Sequence, residues 1–119
     1  MSTSTPAPEP DVPWTARDGA DLYRVDAWSG GYFEAGEDGR LAVRPSGPEG
    51  SRVDLPDVVE GLRERGVEPP FLLRFSDILV HRLRTLRRAF DEAIAANEYR
   101  GDYVAVYPIK VNQQRSVVE

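Results

Sequence analysis

The sequence predicts an α/β protein with parallel strands, and three observations predict it. Strand-like and helix-like runs alternate along the second half of the chain, the pattern of a parallel sheet with crossover helices. A β-hairpin signal precedes that alternation. The only lysine, Lys110, ends the last strand-like run, where α/β barrels place their chemistry. Too few strands are present to close a sheet or barrel, so the 119 residues are expected to be an N-terminal fragment of something longer.

The first 18 residues are rich in Ser, Thr and Pro and poor in aliphatic side chains, and are expected to form a disordered leader. Residues 19–50 are expected to form a β-hairpin region. Leu22, Val25 and Trp28 lie in a first strand-like run. Gly30-Gly31 interrupts it, and Tyr32-Phe33-Glu34-Ala35 resumes it. Glu37-Asp38-Gly39-Arg40 then leads into Leu41-Ala42-Val43, an Asp-Gly turn between apolar runs. Two strands alone are marginal, so this hairpin is expected at the edge of a larger sheet.

Residues 51–119 are expected to begin a barrel domain. Asp54-Leu55-Pro56-Asp57 opens a short helix, with Pro in the first turn and acidic residues at the positive dipole end. Gly66 is its natural stop. Phe71-Leu72-Leu73-Arg74-Phe75 is strand-like. Ser76 or Asp77 is expected to cap a long helix running to about Asn97, with Leu79, Leu83, Leu86, Phe90 and Ile94 as its apolar stripe. Arg82, Arg84, Arg87 and Arg88 are read as a solvated face rather than an anion patch, and His81 as a packing or hydrogen-bonding residue. Gly101-Asp102 is a turn, Tyr103 to Ile109 the next strand, and Asn112-Gln113-Gln114-Arg115 the start of another helix.

Charge and composition exclude several functions. A net charge of −5 leaves no basic footprint for nucleic acid. No apolar stretch approaches the ~20 residues of a membrane span, and the N-terminus lacks the charged and apolar regions of a secretory signal. With no cysteine there are neither disulfides nor thiolate ligands, which fits a cytoplasmic protein. The single histidine argues against a protein-only zinc site, and no G-x-S-x-G elbow is present.

Lys110 is the one lysine among 15 Lys and Arg residues. A primary amine can lose its proton and attack a carbonyl, which guanidinium cannot do. Survival of one lysine on a solvated surface explains the composition equally well. Phosphate binding is disfavoured because no G-x-x-x-x-G-K loop surrounds it. A Schiff base with a carbonyl substrate, or with pyridoxal phosphate, remains open. A covalent role requires release of an amine whose ordinary pKa is about 10.4, by desolvation or a neighbouring cation.

The segment Tyr107-Pro108-Ile109-Lys110-Val111-Asn112-Gln113-Gln114-Arg115 closely resembles the pyridoxal-phosphate lysine motif of biosynthetic arginine decarboxylases. Two further blocks resemble the same branch: Leu55 to Val59 continuing through Phe71 to Leu79, and the region from Trp28-Ser29 to Gly39-Arg40-Leu41. The resemblance covers roughly Asp21 to Glu119. It implies a (β/α)8 TIM barrel of the alanine-racemase-like type, preceded by the N-terminal hairpin and incomplete in this chain. It implies Lys110 as both the catalytic and the cofactor-binding residue, through a Schiff base with pyridoxal 5'-phosphate. The implied reaction is decarboxylation of L-arginine to agmatine and carbon dioxide in polyamine biosynthesis. Mg2+ as a second cofactor, a homo-oligomer at full length and a cytoplasmic location come with it. Phosphate- and substrate-binding residues are expected beyond position 119, so the chain alone is expected to be inactive. Tyr107 and Asn112 flank the lysine and are left out of the site. The competing readings are a related decarboxylase acting on ornithine or diaminopimelate, and a non-catalytic pyridoxal-phosphate-binding protein.

Overall fold

The computed structural model describes residues 12–118. Helices α1 (Ala16–Leu22) and α2 (Val25–Ser29) come first, then strands β1 (Phe33–Ala35), β2 (Leu41–Val43) and β3 (Val53–Asp54). Helices α3 (Leu55–Glu64), α4 (Ser76–Ala96) and α5 (Arg115–Val118) follow. The three strands form one antiparallel sheet in sequence order.

Local chemistry accounts for the N-terminal helices. The Thr15 hydroxyl accepts from the Asp18 amide, and the Asp18 carboxylate accepts from the Thr15 amide 2.8 Å away, a reciprocal capping box. The chain then turns through Arg24 in the left-handed region (φ 51°) and leaves α2 at Gly30 (φ 59°). Buried Ser29 donates to the Phe33 carbonyl at 3.1 Å and accepts from the Gly31 amide, so its burial leaves no orphaned hydroxyl.

The hairpin between β1 and β2 forms as the Asp-Gly signal predicts. Ala35 pairs with Leu41 and Phe33 with Val43, and Gly39 takes the positive φ the turn requires (77°). Ala42 and Val43 are both fully buried. Neighbouring residues of a strand face opposite ways, so β2 is covered on both sides. The core of the molecule is here, with Val25 and Tyr32 beside it.

The short helix also forms as expected: Pro56 sits in the first turn of α3 and Gly66 (φ 79°) follows its end. Helix α4 keeps its predicted span, but Phe75 is its N-cap and no side chain caps it, contrary to the expected Ser76 or Asp77. Its stripe is not a covered core face: Leu79, Leu83, Leu86 and Phe90 remain exposed. The radius of gyration, 22.2 Å, far exceeds the ~13 Å of a compact chain of about 100 residues.

Several expectations are corrected. The run holding Leu22, Val25 and Trp28 is helical rather than β, since these residues recur every third position and a capped helix starts before them. Of the expected leader, residues 1–11 lie outside the described residues, while Ala16 to Asp18 belong to α1. Residues 53–54 join the hairpin's sheet, so the boundary drawn after residue 50 cuts through one unit. Residues 71–75 and 103–108 form no strand, and Ile109 already lies in a turn. A strand exists through its ladder, and neither segment finds a partner backbone among the described residues. What is present is a mixed α/β arrangement whose described strands are all antiparallel; parallel barrel strands are not formed in it.

Candidate functional site

The lysine lies in a turn between an extended segment and α5. Residues 103–108 lead to it without regular secondary structure, and the Val111 amide closes the turn onto the Pro108 carbonyl at 2.9 Å. Beyond the turn, Asn112 Oδ1 accepts from the Gln114 amide at 3.2 Å, the local bond that makes Asn a turn former. Gln114 in turn supplies the carbonyl that accepts from the Val117 and Val118 amides, starting α5. The Tyr107 hydroxyl donates to the Asn112 carbonyl at 3.2 Å and straps the two sides of the turn together. Tyr107 and Asn112, left out of the site on sequence grounds, are therefore the residues that shape the loop presenting the amine.

Lys110 itself is exposed and makes no ion pair or hydrogen bond with a described residue. The apolar segment before it gives no desolvation here, since Val104, Val106 and Ile109 are themselves exposed. The desolvation or neighbouring cation that would release the amine is therefore not supplied by the described residues. Downstream of the lysine, Gln114, Arg115 and Ser116 meet Arg74 around an open cleft of about 620 Å³. Lys110 does not line that cleft.

The upstream half of the molecule meets α4 at two places. The Tyr32 hydroxyl lies 2.6 Å from His81 Nδ1, and the Phe33 and Phe75 rings meet edge to face at 6.3 Å. His81 thus hydrogen-bonds as expected, though its partner, 49 residues away, was not foreseen. At the far end of α4, the Phe90 and Tyr103 rings stack with centroids 4.1 Å apart, which seats the start of the lysine-bearing segment against the helix. Among the described residues, no group of three His, Cys, Asp or Glu side chains is placed to hold a metal ion, so the magnesium implied by resemblance has no ligand set here. No described helix is long and apolar enough to cross a membrane.

No protein-family model matches the chain. Curated proteins do. A biosynthetic arginine decarboxylase of Pseudomonas putida is 49% identical over 106 residues, which is 89% of this chain and 17% of that protein. One from Prochlorococcus marinus is 45% identical across all 119 residues, 18% of its own length. One from Gloeobacter violaceus is 45% identical over 89% of this chain and 16% of its own. The chain thus spans about one sixth of the length of these relatives, and its resemblance to them, first seen around the lysine, extends along nearly the whole sequence.

Proposed function

We propose that this chain, a sequence relative of the biosynthetic arginine decarboxylases over most of its length, supplies the cofactor-anchoring lysine of an enzyme that converts L-arginine to agmatine and carbon dioxide. The observation that carries the reading is the 45% identity to such a decarboxylase across all 119 residues. The work belongs to polyamine biosynthesis. The complete protein is proposed to be a cytoplasmic homo-oligomer built on a (β/α)8 barrel of the alanine-racemase-like type, with magnesium held by residues outside those described.

Within that reaction, bound pyridoxal phosphate supplies an electron sink for the electrons left behind by departing carbon dioxide. The chain's own part is to hold and release the cofactor. The Lys110 amine would hold the cofactor at its aldehyde carbon and would be freed when the substrate binds. A primary amine is required, since guanidinium cannot serve. The turn that carries it is fixed by the Tyr107 hydroxyl on the Asn112 carbonyl and by Asn112 Oδ1 on the Gln114 amide. Presentation from a fixed loop lowers the entropy lost when amine and aldehyde meet.

The test is release of agmatine and carbon dioxide from L-arginine by the complete protein carrying this chain, with and without Lys110→Ala. Turnover is expected in the parent and nearly none in the variant. Unchanged turnover in the variant overturns the role of Lys110, and turnover of ornithine instead of arginine overturns the substrate.

A further inference from the structure

The corner that returns the chain from α4 toward Lys110 has a set direction. Glu98 enters the left-handed region (φ 49°) just past the helix end. Its amide donates to the Ala95 carbonyl at 3.3 Å, and the Tyr99 amide donates to the Ile94 carbonyl at 3.0 Å. These are the two bonds of a Schellman motif. The Asn97 side-chain amide adds a bond to the Ala93 carbonyl at 2.8 Å. The Tyr99 ring then lies over Gly101, where a Cβ would stand 2.5 Å from Tyr99 Cε1.

Beyond the corner, a single side chain attaches the segment to the helix. From Tyr103 to Lys110, Tyr103 is half-buried and every other residue is exposed. Its ring stacks on Phe90 of α4, with centroids 4.1 Å apart and planes at 3°. Tyr103 and Ala105 border, with Leu83 and Leu86, an open groove of about 730 Å³, so the segment runs back beside α4 without filling the space. Among the described residues, no backbone hydrogen bond ties 103–107 to another element. The chain from Tyr103 to Lys110 reaches at most about 25 Å. Releasing Tyr103 therefore enlarges the volume through which the amine moves.

We infer that Tyr103, seated on Phe90, is a positioning residue for Lys110: it fixes where α4 delivers the lysine-bearing segment. This rests on the reading of Lys110 as the cofactor lysine, and it adds to that reading two residues that act through the chain between them and the amine. Anchoring the start of the segment restricts the amine beforehand, so less entropy is lost when it meets a carbonyl. The Tyr103 hydroxyl makes no hydrogen bond with a described residue. The flat ring is therefore the part that acts, through stacking.

The experiment titrates the complete protein carrying this chain with pyridoxal 5'-phosphate, without L-arginine. Each sample is reduced with borohydride and digested, and the adduct on the Lys110 peptide is measured by mass spectrometry. Tyr103→Leu and Phe90→Leu are each expected to raise the half-saturating cofactor concentration by about fivefold, the scale of one lost aromatic stack. Tyr103→Phe is expected to stay within about twofold of the parent, since it keeps the stack. The double leucine variant is expected to lose little more than either single one, as a shared contact requires. Phe90 is 44% exposed, and melting curves without cofactor verify that each variant folds. A parent that forms no adduct at Lys110 overturns the cofactor reading and this inference together. A parent adduct with unchanged half-saturation in Tyr103→Leu overturns the inference alone, even where the melting temperature falls. So does a loss in Tyr103→Phe as large as that in Tyr103→Leu.

Discussion

Tyr32 and His81 meet at 2.6 Å across 49 residues of sequence, the hydroxyl of one against Nδ1 of the other. Tyr32 is buried in the N-terminal core and His81 lies on α4, so this bond fastens the long helix to the sheet module. Removing the hydroxyl by Tyr32→Phe is expected to cost about 1 kcal/mol, the usual net worth of such a bond. A double-mutant cycle with His81→Ala, followed by urea unfolding, isolates the pair. Coupling near zero contradicts the docking role.

Gly47 sits under the same histidine. Its φ is +93°, and a Cβ there would lie 2.7 Å from His81 Cε1 and Nε2. Gly47→Ala is therefore expected to destabilise by more than about 1 kcal/mol, through backbone strain and the clash together. Placing it on a His81→Ala background is expected to relieve the clash and keep the strain. Equal cost in both backgrounds, read from thermal melts, contradicts the contact.

Glu34 organises the charged side of the sheet. Its carboxylate accepts from Arg44 Nε at 3.0 Å and Nη2 at 3.1 Å, and from Arg52 Nε at 3.1 Å. The Arg44 hydrogen bonds, aided by the charges of Arg44 and Arg52 and opposed by partial burial, hold its carboxyl below its ordinary value of 4.5. A carboxyl lowered by folding stabilises the folded state above that ordinary value, and the contribution fades as pH falls through the lowered one. Thermal stability is thus expected to decline on the acid side of 4.5, and less steeply in Glu34→Gln. Identical acid limbs for the two proteins contradict the assignment.

Val43 is fully buried on the central strand. Val43→Ala removes two methyl groups' worth of buried surface and leaves a void, an expected loss of about 2 kcal/mol. The exposed Val104 and Val106 are expected to tolerate the same change within about 0.5 kcal/mol. Urea midpoints for the three variants compare them directly. Equal losses at the three positions contradict a core centred on β2.

The parts legible in the sequence are those whose signal is local. Helix α4 is readable because Leu79, Leu83, Leu86, Phe90 and Ile94 keep helical spacing over about four turns. The hairpin was readable from Asp38-Gly39, because few residues accept positive φ. Leu22, Val25 and Trp28 were misread because β-favouring side chains masked a three-residue spacing, and the Thr15–Asp18 capping box was overlooked. The strands expected at 71–75 and 103–109 depend on a partner backbone, which no local signal reports. Lys110 stands out in the sequence by its rarity and its neighbours. The strap from Tyr107 to Asn112 needed coordinates, because its two ends are joined only by the turn's geometry.

The proposed attachment of pyridoxal phosphate to Lys110 is tested most directly by borohydride reduction. The complete protein is loaded with the cofactor, reduced, digested and read by mass spectrometry. A phosphopyridoxyl adduct is expected on the peptide containing Lys110, its yield cut sharply when L-arginine is added before reduction. A peptide left unmodified, or a yield that L-arginine does not alter, contradicts it.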